Sequence, residues 1–306
     1  MKPLDLQING CRGADFCAAD LSLERCRAAC DALAADGVDA ILATVITDSL
    51  DRLCAKLRRL VALREQDPVI RRMIAGFHVE GPFISPLPGY VGAHPPEHVR
   101  PADPDAARRL VEAGGGLVRL VTLAPEHDPG LATTAVLARL GITVAAGHCD
   151  ASLECLRRAL DAGLSMATHL GNGCPVTLPR HDNVIQRLLS LSDRLWISFI
   201  PDGAHVPFFA LGNYLAVCGL DRAIVVTDAI AAAGLGAGRH EFSGVTVEVD
   251  EAGVARRPGS PNLAGSTITM PRACANLAEF LGLGPAEIAR LVDANPRAAI
   301  GLPPAA

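Results

Sequence analysis

The chain has 306 residues, half of them apolar and one fifth charged, with only eight Phe, two Tyr and one Trp, and a formal net charge of −5. Such an apolar chain, with charges of both signs, is not disordered, and a mildly acidic one without a basic block offers no electrostatic footprint to nucleic acid or an anionic membrane. No apolar run reaches the roughly 18–20 residues of a membrane span, since even the stretch from Gly37 to Thr47 carries Asp39.

The N-terminus, MKPLDLQING, has no apolar signal-peptide core, so a cytoplasmic protein is expected. Ten cysteines are scattered without a CxxC pair; they read as small buried hydrophobes in a reducing compartment. A short apolar strand, LDLQI (4–8), is followed by a periodic helix over 21–37, a strand over 39–46 and a helix from Ser49 to Glu65. The third strand (73–81) leads into a Pro/Gly-rich loop to Pro104 and the helix DAARRLVEAG. LVRLVTLAP, TVAAGH, SMATHL, LWISFIPD and AIVVTDA read as strands four to eight, with helices near 130–140, 152–162, 183–191 and 207–217. Continuously apolar strands imply helices on both faces. Eight such units fit an α/β fold of the (β/α)8 TIM-barrel kind better than an open doubly wound sheet. NGCRGADF after strand one is also not the glycine fingerprint of a dinucleotide site. The expected organisation is one barrel domain over 1–306, with a hairpin-like segment at about 236–266 and closing helices at about 270–281 and 285–293.

Polar residues fall on these strands with a common phase. Gln7 and Asn9 follow strand one, His78 and Glu80 end strand three, His148 follows strand five and His169 ends strand six. Asp202 and His205 follow strand seven, and Asp228 ends strand eight. In a barrel these positions share the C-terminal rim, where active sites form. One Glu with two His makes a three-ligand site that leaves a coordination position open, the pattern of a catalytic rather than a structural zinc. A carboxylate such as Asp228 beside it can carry a proton from water to a leaving group. His78 lies two residues before Glu80 on the same face and reads as a hydrogen-bonding support.

The motifs FHVEGPFISP with GAH, AGHCDAS, THLGNGCP, PDGAHV, VVTDA, LAGSTITM and NPRAAIGL follow in order over nearly the whole chain. In that order the sequence resembles the N-acetylglucosamine-6-phosphate deacetylase family of the amidohydrolase superfamily. The resemblance implies Glu80, His148 and His169 as ligands of one divalent metal, zinc first, with iron, manganese or cobalt as alternatives. It implies Asp228 as general acid/base and His94, beside Ala93, as the group that polarises the amide carbonyl. Asn172, Gly173 and Arg180 match contacts to the sugar phosphate, with Arg180 supplied across a homodimer interface. Asp202 to His205 match a further substrate-contacting run, and Leu263, Ala264 and Gly265 match the acyl side. The implied reaction is hydrolysis of N-acetylglucosamine 6-phosphate to glucosamine 6-phosphate and acetate, by attack of a metal-activated water. A related N-acyl amino sugar, or another N-acylated anionic small molecule, is the alternative substrate.

Three departures shape these expectations. Gln7-Ile8-Asn9 stands where many amidohydrolases carry an HxH metal pair, and amides are poor zinc ligands, so a single metal is expected. The small β-sandwich that usually flanks such barrels is expected to be missing. Gly171-Asn172-Gly173-Cys174 replaces bulkier groups, from which a wider sugar end of the pocket is expected.

Overall fold

The computed structural model describes residues 1–259 and 262–304. The ends of the expected 1–306 domain (305 and 306) and two positions of the 236–266 segment (260 and 261) lie outside the described residues.

Eight strands form one parallel sheet in chain order: β1 (Leu4–Ile8), β2 (Ala40–Ile46), β3 (Ile74–Glu80), β4 (Val118–Leu123), β5 (Thr143–Ala146), β6 (Leu164–Ala167), β7 (Trp196–Phe199) and β8 (Ala223–Val225). The ends meet through a parallel bridge between Ile8 and Ala229. There the Asp228 N–H donates to the Gln7 carbonyl at 2.8 Å and the Asn9 N–H to the Ala229 carbonyl at 2.7 Å. The result is a nearly closed (β/α)8 barrel, as the alternation of apolar strands and amphipathic helices predicts.

The outer helices start where capping chemistry places them. Ser22, Ser49 and Ser152 accept from the N–H groups of Arg25, Arg52 and Cys155, opening α1 (Leu23–Ala35), α2 (Leu50–Gln66) and, further along the chain, a helix over Leu153–Ala162. Between them, α3 (Pro68–Met73) follows α2 at once, capped by Asp67 with Pro68 at its first position. The hydropathy pattern alone leaves α3 unassigned. The expected helix at 285–293 is instead a short helix (Pro285–Ala289), a π turn (Arg290–Ala294) and a second short helix (Asn295–Ala299). Pro296 has no N–H to offer the Val292 carbonyl, and the wider turn sits just before it.

Within 236–266, three antiparallel strands follow: β9 (Gly238–Phe242), β10 (Val245–Val249) and β11 (Ala255–Arg256). The β10–β11 turn is closed by Asp250, whose Oδ1 accepts from the Ala252 and Val254 N–H groups. Phe242, Val247, Val249 and Ala255 pack with Ile46, Ile230 and Ala264, which seats this small sheet against the rim of the barrel beside β8.

Inside the barrel, a polar layer runs below the rim. The buried His78 ring bonds Thr122 Oγ1 at 2.8 Å through Nε2 and faces Thr44 Oγ1 at 3.4 Å through Nδ1, and Thr122 bonds Thr168 at 2.8 Å. Burial lowers the His78 pKa to about 4, so the ring is a neutral strut in a satisfied network. Among the described residues, no helix is long and apolar enough to cross a membrane.

Candidate active site

Strand alternation puts His78 and Glu80 on the inner face of β3, and Glu80, the last residue of the strand, reaches the rim. The other key residues arrive differently. His148, His169 and Asp228 each lie just beyond their strands, and all three adopt left-handed backbone, with φ of 51°, 34° and 49°. Non-glycine residues pay about 1–2 kcal/mol there, and the surroundings hold them in place. The His169 N–H donates to Ser198 Oγ at 2.8 Å, the His148 carbonyl accepts from the Ser85 N–H at 2.9 Å, and the Asp228 carbonyl from the Ser266 N–H at 3.0 Å.

These turns bring one carboxylate and two rings together. Ligand atoms of Glu80, His148 and His169 all lie within 4.8 Å of one another, and all three residues are buried. Glu80 Oε1 is 2.8 Å from His169 Nε2 and 3.4 Å from His148 Nε2. His148 Nδ1 lies 2.8 Å from the Tyr90 carbonyl, which only accepts, so Nδ1 carries the hydrogen and Nε2 presents a bare lone pair towards Glu80. Two acceptors facing each other across 3.4 Å are what a cation between them resolves. Three N/O ligands with one position open suit a divalent ion of the zinc kind.

Asp228 stands beside this cluster. Its Oδ1 accepts from Asn9 Nδ2 at 2.7 Å and from Gln7 Nε2 at 3.1 Å, and the same Gln7 amide lies 3.1 Å from Glu80 Oε1. Gln7 and Asn9 thus serve as donors that bracket the carboxylates. Burial, then the Glu80 charge, raises the Asp228 pKa to about 6. His94 is buried 3.9 Å from Glu80 Oε2, and burial with the neighbouring His148 lowers its pKa to about 3.

The cluster floors a cavity of about 440 Å³. Ala93, His94, Asn172, Gly173, His205, Asp228, Leu263 and Gly265 line it. Asp202 and Ala264 stand behind the wall. Asp202 fixes His205, with Oδ2 2.6 Å from its Nδ1, and the Ala264 N–H donates to the Ala255 carbonyl at 3.0 Å. Arg180 is exposed on the loop after β6 and does not line the cavity of its own chain.

In the 171–174 loop, the space beside Gly173 is taken by a ring of the cluster. A Cβ on Gly173 would lie 2.9 Å from Nδ1 of the His148 ring, and one on Gly92 would lie 3.1 Å from its Cε1. The small residues let two loops close on the His148 ring. Two supports carry no motif that the sequence could flag: Thr47, whose Oγ1 is 2.7 Å from His94 Nδ1, and Arg257, whose Nη2 donates to the Ala93 carbonyl at 2.6 Å.

Comparison with known proteins bears on this geometry directly. No protein-family model matches the chain. It is 32% identical over 302 residues to the N-acetylglucosamine-6-phosphate deacetylase of Bacillus subtilis (strain 168), covering 98% of this chain and 74% of that protein. Over 269 residues it is 32% identical to the N-acetylgalactosamine-6-phosphate deacetylase of Escherichia coli O157:H7, covering 88% and 70%. The chain belongs to the N-acetylglucosamine-6-phosphate deacetylase family of the amidohydrolase superfamily. Members of this family are hydrolytic enzymes, and so is this chain. A variant of the Mycobacterium smegmatis deacetylase, solved with N-acetyl-D-glucosamine-6-phosphate, matches with a TM-score of 0.89 at 32% identity, over 99% of this chain and 78% of that one.

Proposed function

We infer that this family member is a metal-dependent deacetylase that hydrolyses N-acetylglucosamine 6-phosphate to glucosamine 6-phosphate and acetate. The observation that carries the reading is Asp228, held by two amides beside the Glu80–His148–His169 cluster at the floor of one cavity. A divalent ion, zinc first, held by Glu80, His148 and His169 supplies Lewis acidity to the amide carbonyl and to water.

Asp228 takes the proton of the attacking water as an oxygen–carbon bond forms at the acetyl carbon. It then delivers that proton to the sugar nitrogen as the carbon–nitrogen bond breaks, so its starting charge state is restored. A carboxylate with pKa about 6 is poised for both tasks near neutral pH. In the tautomer whose Nδ1 accepts from the Thr47 hydroxyl, His94 Nε2 carries the hydrogen and donates it to the acyl oxygen as negative charge develops there. Ala93, Asn172, Gly173 and His205 line the wall for the sugar, with Asp202 orienting His205. Leu263 and Gly265, backed by Ala264, flank the acyl group.

Arg180, exposed and outside its own cavity, suits a phosphate contact made across a homodimer, where its guanidinium fork fits phosphate oxygens. A cytoplasmic site of action fits ten free cysteines. The equal identity to a relative named for the galacto epimer favours N-acetylgalactosamine 6-phosphate as the second reading; another N-acylated anionic small molecule remains the broader alternative.

The deciding experiment is acetate release by zinc-loaded protein from each of the two phosphosugars and from unphosphorylated N-acetylglucosamine, with Asp228→Asn alongside. Turnover of the gluco phosphosugar, lost in the variant, is expected. Preference for the galacto epimer would move the assignment to the second reading, and normal kcat in the variant would overturn the base.

A further inference from the structure

The buried carboxylate of Asp5, on β1, is unused by the chemistry above. It is 1% exposed, less than Glu80, and does not line the active-site cavity. A carboxylate buried this deeply is retained only where hydrogen bonds satisfy it. Its partners are specific. Oδ2 accepts from the Thr227 hydroxyl at 2.5 Å, and Oδ1 accepts from the Gln7 and Thr227 N–H groups, each at 3.2 Å.

Those two partners flank Asp228. Thr227 precedes it in the chain, and Gln7 donates to its Oδ1. The same Thr227 hydroxyl accepts from the Ala229 N–H at 3.2 Å, so one side chain grips the backbone on both sides of the left-handed Asp228. The regular part of β8 ends at Val225, and among the described residues the bridge between its extension and β1 is Ile8–Ala229. At this thin seam of the barrel, a side-chain clamp reinforces the few backbone hydrogen bonds that join the two strands. A left-handed non-glycine residue persists only where its surroundings over-determine it.

We propose that Asp5 is a positioning residue for the reaction at Asp228, holding Thr227 and Gln7 so that the Asp228 carboxylate keeps its place against the Gln7 and Asn9 amides. The proposal rests on the reading of Asp228 as the base. Thr227→Val removes the hydroxyl at nearly constant shape, Thr227→Ser keeps it, and Asp5→Asn places an amide where Thr227 now donates.

The test measures acetate release from N-acetylglucosamine 6-phosphate by the zinc-loaded full chain, in the parent and in the Asp228→Asn background, together with the crystal structure of Thr227→Val. Misplacement of a reacting group by about 1 Å can cost 10²-fold, and a kcat loss approaching that is expected for Thr227→Val and Asp5→Asn. KM and zinc content should hold, Thr227→Ser should restore turnover, and neither loss should add to that of Asp228→Asn. In the crystal structure the Asp228 carboxylate should leave the Gln7 and Asn9 amides. Parent-like kcat in both variants, whatever their melting temperatures, or an unmoved Asp228, would overturn the proposal. If the parent releases no acetate, or Asp228→Asn keeps full activity, the base reading falls, and the position of Asp228 in the Thr227→Val structure still decides the clamp.

Discussion

His148 donates its Nδ1 hydrogen to the Tyr90 carbonyl at 2.8 Å, and that bond decides what the other ring nitrogen can do. The proton is fixed on the far side, so Nε2 faces Glu80 as a lone pair, the orientation a metal-binding histidine requires. Chelation should therefore abolish activity and lower Tm, because a divalent ion bound only by the folded state stabilises it, and added zinc should restore both. Glu80→Gln should lower zinc affinity by at least about 10²-fold, read by metal analysis after dialysis. Full zinc occupancy in that variant would remove Glu80 from the ligand set.

The pH dependence follows from Asp228. Its pKa, raised to about 6 by burial and the Glu80 charge, means that the carboxylate needed to accept a proton is depleted below that pH. The value of kcat/KM should rise through about pH 6 and level off above it, with the slope of a single ionisation. A pH profile between about 4.5 and 8 on the phosphosugar checks this; a profile flat down to about 4.5 would mean that Asp228 ionises as an ordinary carboxylate.

Gly173→Ala should weaken the proposed metal site without replacing a ligand. Its φ of +60° is costly for alanine, and the new Cβ would meet the His148 ring at 2.9–3.1 Å. The ring must move off its Tyr90 bond, so zinc affinity should fall about 10-fold or more. Competition with a chromogenic chelator measures that fall directly, and an unchanged affinity would show that the loop yields instead.

The barrel was legible in the sequence because AILATVI is a continuous apolar run and LDLQI and IAGFHVE are short and largely apolar, each followed further along by a periodic helix. The cluster was legible because Glu80, His148, His169 and Asp228 keep one phase at strand ends. What stayed hidden is backbone conformation and contact. Nothing in GHC, THL or TDA announces left-handed backbone at His148, His169 and Asp228, since only the folded rim imposes it. Gly173 read as added space, whereas its missing side chain is filled by the His148 ring. Thr47 and Arg257 support His94 and Ala93 from 47 and 164 residues away, a separation at which hydropathy pattern carries no information.

Thr47 yields a sharper expectation. When it donates to His94 Nδ1, 2.7 Å away, its hydroxyl favours the tautomer whose Nε2–H points to the site. Thr47→Val keeps the shape and removes that choice. Loss of an aligned donor to a developing oxyanion costs about 10²–10³ in kcat; because the ring itself remains, a smaller loss of about 10-fold is expected, with KM little changed. Parent-like kcat would mean that the ring orientation is fixed by packing against His148, whose centroid lies 4.4 Å away.

Asp5 makes stability depend on pH in an unusual direction. Burial raises its pKa from the ordinary 3.8 to about 7. Between those values the folded chain keeps a proton that the unfolded chain releases, so the stabilisation is complete below about pH 4 and is lost as pH rises through about 7. Asp5→Asn carries no charge to bury and is free of that loss. Relative to the parent, its unfolding free energy should therefore climb across this window and level off above it. Three pKa units at about 1.4 kcal/mol each set an upper bound of about 4 kcal/mol on the climb. Urea unfolding of both proteins at about pH 5 and about pH 8 measures the difference. A difference independent of pH would mean that the Thr227 hydroxyl and the two N–H groups hold Asp5 ionised throughout. A variant more stable than the parent at the higher pH, yet slower in turnover, would separate what Asp5 costs the fold from what it does for Asp228.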